Sequence, residues 1–199
     1  MKRHDIETAF DRLTEAVPPP QQPLETSGPL SSVNFADGRE VVFPPDYLRL
    51  INAYGSGDFY SDEDYGDGPI GDLVYLMNPF APSYQNRLKQ ESEFLQGYKN
   101  SEGDKYIPYD VYPQTPGILP WGWCEGRKNY FWLTEGPPQE WPVLVMYDLE
   151  IWTRFDMPMV VFLEQLFFGE IDCSFIGWPD ESSQRDPSQI AFRPRVPPL

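Results

Sequence analysis

The stretch from Gly117 to Val145 constrains the fold of this chain more than any other. It reads GILPWGWCEGRKNYFWLTEGPPQEWPVLV, and short apolar runs alternate in it with Gly, Pro and Glu-Gly turn signals. This pattern is typical of consecutive antiparallel strands, so we predict a β-meander. Four of the six tryptophans of the chain lie in it: Trp121, Trp123, Trp132 and Trp141. Aromatics on short strands more often form a core than a ligand platform, but Trp121 and Trp123 share one face and suit either a core or a surface groove.

The rest of the pattern predicts four helices and further strands. Apolar residues recur at helical spacing over 6–17, 43–55, 82–98 and 160–168. Pro45 suits a first helical turn, and Gly55 and Gly169 suit the residue that ends a helix. Strands are predicted at 41–43, 70–77, 118–124, 130–134, 143–147 and 149–155, and a loop at 55–68. The predicted fold class is therefore α+β, with a single antiparallel sheet (a meander) flanked by about four helices.

The prolines divide the chain into three predicted parts. The chain has 23 prolines, and the excess gathers near its ends, at 18–20, at 23 and in 194–198. Proline-rich stretches favour extended arms over packed structure. We predict an N-terminal helix and proline-rich arm at 1–40, an α+β domain at 41–178, and a proline-rich C-terminal tail at 179–199.

The formal net charge of −16 limits the partners of the protein. Nucleic-acid binders place basic surface against phosphates, so we predict no direct binding to nucleic acid and none to an anionic membrane. The charge suits a basic protein partner, although acidity also serves solubility alone. Two cysteines, no signal-peptide core and no apolar run of about 18 residues predict a soluble, cytoplasmic protein.

Few residues suit catalysis or cofactor binding. His4 is the only histidine and lies near the terminus, which argues against histidine-based hydrolases and zinc enzymes. Neither a phosphate-binding loop nor a dinucleotide-binding glycine motif is present. Glu125 and Glu140 flank the aromatic strands and are the best pair for a glycosidase, but both occupy predicted turns. We predict no catalytic residue, no metal and no cofactor.

The predicted loop after Gly55 carries an acidic cluster. Six acids lie between Asp58 and Asp72, and no Lys or Arg occurs between Arg49 and Arg87. The spacing does not fit an EF-hand, which leaves an irregular metal site, a solvated loop or a surface for a cationic partner. Two tyrosines lie among the acids and suit interface anchors. The residues predicted to bind a partner are Asp58, Tyr60, Asp62, Glu63, Asp64, Tyr65 and Asp67.

Three segments together resemble the SUKH superfamily of Smi/Knr-like proteins. The first is FPPDY at 43–47 leading to AYGSG at 53–57, which resembles the family's "LP-x-x-Y…Y-G-x-G" helix and turn. The second is YPQTPGILPWG at 112–122, which is similar to "P-x-x-G-L-L-x-W-G". The third is FWLTEGPPQEWPV at 131–143, which resembles "FW-x-T-x-G-x-P-D-x-W-P-V", with Gln139 and Glu140 where an Asp often stands.

The resemblance covers about residues 41–178 and implies a non-enzymatic protein without a cofactor. Many bacterial members are thought to be immunity proteins that neutralise toxins of polymorphic toxin systems, often nucleases and deaminases. The expectation is thus an immunity protein for a basic, nucleic-acid-acting toxin. A regulatory interaction module of the Smi/Knr type and, further off, a carbohydrate-binding protein that uses the tryptophans are the alternatives.

Overall fold

A computed structural model of the chain describes residues 6–34, 38–64, 69–124, 128–171 and 187–195, with the backbone alone at 62–64 and 69–72. The described residues form four α-helices: α1 (Ile6–Ala16), α2 (Pro45–Tyr54), α3 (Tyr84–Glu102) and α4 (Met159–Phe167). They also form nine strands: β1 (Ser32–Asn34), β2 (Glu40–Val42), β3 (Gly57–Asp64), β4 (Pro69–Leu76), β5 (Ile118–Cys124), β6 (Lys128–Leu133), β7 (Val143–Tyr147), β8 (Ile151–Phe155) and β9 (Ile190–Pro194).

Seven of these strands form one antiparallel sheet, in the order β8-β7-β6-β5-β4-β3-β9. Strands β3 to β8 follow one another as a meander, and β9 returns to pair with β3 at the edge. Strands β1 and β2 make a separate two-stranded ribbon. The predicted α+β class, the meander and the four helices are confirmed.

Two segments differ from their sequence-based description. The stretch at 55–68 was expected to be a loop, but Gly57–Asp64 is strand β3, because its residues pair with β4 on one side and β9 on the other. Part of the expected C-terminal tail, residues Ile190–Pro194, is strand β9. The proline content of the tail argued against a strand there. Pro194 is compatible with β9 because it stands at the last position of an edge strand, where a missing N–H is tolerated.

Helix α2 ends where the sequence predicts. Gly55 has φ 72° and donates its N–H to the carbonyl oxygen of Ile51 at 2.8 Å. A Cβ at this position would overlap the backbone carbonyl of Leu24, so both the dihedral angle and the close approach favour glycine. The same helix supports α4: the backbone N–H of Val160, in the first turn of α4, donates to Oδ2 of Asp46 at 3.1 Å.

One face of the sheet carries the main core. Alternate residues of β5, β6 and β7 point to it, and helices α1, α2 and α4 cover it. Tyr47 of α2 packs edge-on against Trp132 of β6 at 4.8 Å between ring centroids, and its hydroxyl donates to the carbonyl oxygen of Met77. Trp121 stacks on Tyr130 at 5.0 Å. This face therefore buries most of the aromatic surface, the largest apolar contribution to stability.

The opposite face carries a smaller core under α3. Leu95 of α3 and Ile107 of the following loop pack with Phe131 and Met146 of the sheet. Trp152 of β8 closes this cluster and donates its indole N–H to the carbonyl oxygen of Tyr106 at 2.6 Å. The sheet thus has helices on both faces, but α3 covers only part of the second.

Candidate interaction surface

Most of the tryptophans in the opening segment are structural. Trp121, Trp132 and Trp141 have exposed fractions of 0%, 1% and 9%. Trp123 is half-buried and stacks on Tyr75 at 4.2 Å. Trp121 and Trp123 lie two residues apart and were expected to share one face of a strand. They do not share one face, because a β-bulge between Pro120 and Gly122 shifts the register at Trp121. The buried rings offer no platform to a ligand.

The predicted acidic residues lie on the β3–β4 hairpin. Asp62, Glu63 and Asp64 are the last residues of β3, and Asp64 pairs with Pro69 across the hairpin. Strand β9 pairs with β3 only from Gly57 to Ser61, and β5 pairs with β4 only at Tyr75 and Leu76. In the described part of the chain, residues 62–64 thus extend past the pairing of both neighbouring strands, and we name them the acidic hairpin end. Tyr65 and Asp67 lie outside the described residues.

Asp58 does not lie with the other predicted contact residues. Its side chain has an exposed fraction of 0%, so its carboxylate is not at the surface expected for a partner contact. Arg193 donates from Nη2 to Oδ2 of Asp58 at 2.8 Å, and Nε of Arg195 lies 2.5 Å from Oδ1. No Lys or Arg lies close to Asp58 along the sequence. Strand β9 and the residue that follows it bring two arginines to Asp58 from about 135 residues away.

Asp58 belongs to a row of directly opposed residues that crosses the whole sheet on its second face. The pairings connect one residue of each strand, from β9 to β8: Arg193, Asp58, Tyr75, Trp123, Asn129, Met146 and Trp152. The β8 end of this row is apolar and lies in the small core under α3. The β9 end is charged and aromatic. The second face of the sheet therefore changes from apolar to charged along this row.

Guanidinium groups and aromatic rings alternate at the β9 end. The guanidinium of Arg87, from α3, lies 3.5 Å from the centroid of the Trp123 ring, whose neighbour in the stack is Tyr75. Arg195 lies over Tyr75 at 4.6 Å, and Arg193 lies over Tyr60 at 4.7 Å. Each arginine is thus fixed by a ring, which favours a single orientation of its planar group.

The ionisable groups here are partly desolvated. Burial raises the pKa of Tyr75, and the Arg195 charge opposes this rise. Burial also lowers the pKa of Arg87, and the nearby Glu91 opposes this effect. Burial raises the pKa of Glu91 in turn, against the attraction of Arg87. Charges in such a setting are screened less by salt than charges on a fully exposed surface.

Sequence reasoning missed Arg193 and Arg195 as functional candidates. They lie two residues apart, so they share one side of an extended strand, and the last four residues of the segment IAFRPR alternate between non-basic and basic. That alternation is the available signal, and the surrounding prolines obscured it. Tyr60, which was predicted to contact a partner, lies half-buried beneath Arg193.

The remaining candidates do not assemble into a chemical site. Glu140 is exposed in a 3-10 turn, whereas Glu125 and His4 lie outside the described residues. Over the described ranges, no group of His, Cys, Asp or Glu side chains could hold a metal ion. No helix among these residues is long and apolar enough to cross a membrane.

Comparison with protein-family models, with curated proteins and with solved structures finds no match to this chain. The resemblance of the three segments to the SUKH superfamily rests on their own residues.

Proposed function

We propose that this protein is a non-enzymatic immunity protein that binds and neutralises a nucleic-acid-acting toxin of a bacterial polymorphic toxin system. The observation that carries the proposal is the acidic hairpin end, where three consecutive acidic residues extend past the pairing of the adjacent strands. The three SUKH-like segments support the immunity role, and the net charge of −16 supports a basic partner.

The physical basis is charge complementarity. An enzyme that acts on nucleic acid needs a basic cleft for phosphates, and closely spaced carboxylates on one strand present a comparable series of negative charges. A hairpin end suits a concave cleft better than the flat face of a sheet. The overall acidity of the chain adds long-range attraction, which raises the association rate.

The proposed contact set is Asp62, Glu63 and Asp64, with Tyr65 and Asp67 retained from the sequence prediction. Asp58 is left out, because its buried carboxylate holds Arg193 and Arg195. Tyr60 lies beneath Arg193 and belongs with the arginine-bearing face rather than with the hairpin end.

Charge reversal tests the proposal. The variant carries Asp62→Lys, Glu63→Lys and Asp64→Lys, and its binding to the protein encoded by the neighbouring gene is measured at several salt concentrations. We expect affinity to fall about a hundredfold at low salt, mostly through the association rate, and the difference to shrink as salt rises. The variant is also expected to lose rescue of cells that express the toxin.

The matched control carries Glu15→Lys, Glu102→Lys and Glu150→Lys. These side chains are exposed on other parts of the molecule, so the control changes the net charge by the same amount. Equal weakening of binding by both triple variants would show that only overall charge matters and would overturn the hairpin assignment. A neighbouring-gene product with no toxicity and no binding would overturn the immunity role itself.

A further inference from the structure

Strand β8 is an outer edge of the seven-stranded sheet, and in the described part of the chain its backbone pairs only with β7. Its five residues, Ile151–Phe155, keep a continuous register with β7. Ile151 has an exposed fraction of 42%, although it is a large apolar side chain. An edge strand of this kind presents a row of backbone N–H and C=O groups to which another strand can pair.

The two edges of the sheet differ in how well they resist strand addition. Strand β9 ends at Pro194, which has no N–H to donate, and prolines are one means by which edges are protected. Strand β8 contains no proline. Its one charged residue, Arg154, is compensated by Glu135 at 3.1 Å and by Asp156 at 2.7 Å. Of the two edges, β8 is therefore the one that retains every backbone N–H.

The side chains of β8 are self-complementary when two copies of the strand pair antiparallel about Thr153. Ile151 then lies opposite Phe155 of the second copy, and Trp152 lies opposite Arg154 of the second copy. The first pair joins an aliphatic and an aromatic side chain, and the second places a guanidinium beside an indole, so both are favourable cross-strand pairs. Either phase of an antiparallel ladder has a two-fold axis at such a residue, so the pairing does not depend on which backbone groups of Thr153 face outward.

We propose that this protein forms a homodimer in which β8 of one copy pairs antiparallel with β8 of a second copy, with Thr153 at the two-fold axis. The two sheets then continue across the interface, and the outward-facing backbone groups of both edges bond to each other. The acidic hairpin end belongs to β3, on the far side of the sheet from β8, so the dimer leaves both copies of it accessible. The proposal is therefore independent of the toxin assignment.

Charge opposes this dimer and also identifies its register. Each copy has a net charge of −16, so two copies repel each other at low salt. The proposed register brings Glu150 beside Asp156 of the second copy, and the symmetry repeats this contact at the other end of the strand pair. Both side chains are exposed. Dimerisation should therefore strengthen as salt rises, which is the reverse of the behaviour of an interface held by ion pairs.

Sedimentation velocity of the full chain, from micromolar to millimolar concentration at low and at high salt, tests the proposal. We expect a reversible monomer–dimer equilibrium that shifts toward the dimer at high salt. Thr153→Lys places two like charges opposite each other at the two-fold axis and is expected to weaken dimerisation about fivefold. Val42→Lys is the matched control, because it makes the same change in net charge at a side chain that is 47% exposed in the separate two-stranded ribbon. It is expected not to weaken the dimer.

Glu150→Lys tests the register of the strand pair. It replaces two like-charge contacts by two ion pairs with Asp156, and it is expected to tighten the dimer about tenfold at low salt. Glu15→Lys makes the same change in net charge on helix α1, which lies on the first face, and is expected to tighten the dimer much less.

Three results would overturn the proposal. The first is a monomer at every concentration at both salt levels. The second is a dimer that Thr153→Lys and Val42→Lys affect equally, which would show that the copies meet at another surface. The third is equal tightening by Glu150→Lys and Glu15→Lys, which would contradict the register. Thermal unfolding of each variant verifies that the protein is folded when its association is measured.

Discussion

The two faces of the sheet bury an aspartate each and satisfy it in different ways. On the first face, Asp46 has an exposed fraction of 6% and accepts a backbone N–H from the first turn of α4. On the second face, Asp58 is fully buried and is held by two arginines of the β9 segment. A helix N-terminus supplies partial positive charge at no cost in side-chain entropy, whereas arginines supply full charges that stay partly in water. The arrangement around Asp46 is part of a buried core, whereas the arrangement around Asp58 leaves a charged surface.

The tryptophans of the two faces give the largest test of this difference. Trp132→Ala removes a fully buried ring that contacts Tyr47, Phe43 and Trp141, and should lower the free energy of unfolding by about 3–5 kcal/mol. Trp123→Ala removes a half-buried ring between Tyr75 and Arg87 and should lower the free energy of unfolding clearly less. Urea unfolding of both variants measures the difference. Equal costs would show that the second face is as closely packed as the first.

The ion pairs of Asp58 give the next largest effect. Asp58→Ala should lower the free energy of unfolding by about 1–3 kcal/mol, because it leaves two arginines without their shared carboxylate. The expected loss of stability is limited because both arginines keep contact with water. Hydrogen exchange should show that the β9 amides lose the most protection. Uniform loss over the whole sheet would contradict the local role of Asp58 in holding β9.

The smallest expected effect is the pH dependence that Asp46 gives to the stability of the protein. Burial raises the pKa of Asp46 above its ordinary value of 3.8, against the backbone N–H bonds that favour the charged form. Between 3.8 and the raised value the folded state binds more protons than the unfolded state, so the contribution of this group to stability falls as pH rises through that window. Asp46→Asn should lack this dependence.

The comparison is made by urea unfolding from about pH 4 to neutrality. The stability of the wild type relative to Asp46→Asn should decrease as pH rises. Asp11→Asn, at a side chain that is 78% exposed, is the control and should follow the wild type across the range. A wild-type advantage that grows with pH would contradict the sign of this prediction.

Local pattern was sufficient for much of the fold. Strands β5 and β7 begin and end at the predicted residues, and α2 ends at Gly55, because turn residues and a left-handed glycine mark these boundaries within a few positions. Strand β3 escaped prediction because its acidic residues are typical of loops, and its strand conformation depends on pairing with β4 and β9. The acidic hairpin end kept three of the predicted contact residues together, whereas Asp58 was separated from them by its burial.

The sequence by itself determined the meander, the helices and the location of the acidic residues, since each depends on neighbours along the chain. Tertiary structure alone decided that Asp58 meets Arg193 and Arg195, and that Trp121 is buried while Trp123 is half-buried. The physical reason is the distance along the chain over which each interaction acts. Turn chemistry and periodicity act over a few residues, but the pairing of β9 with β3 joins positions about 135 residues apart, and that pairing brings Arg193 and Arg195 to Asp58.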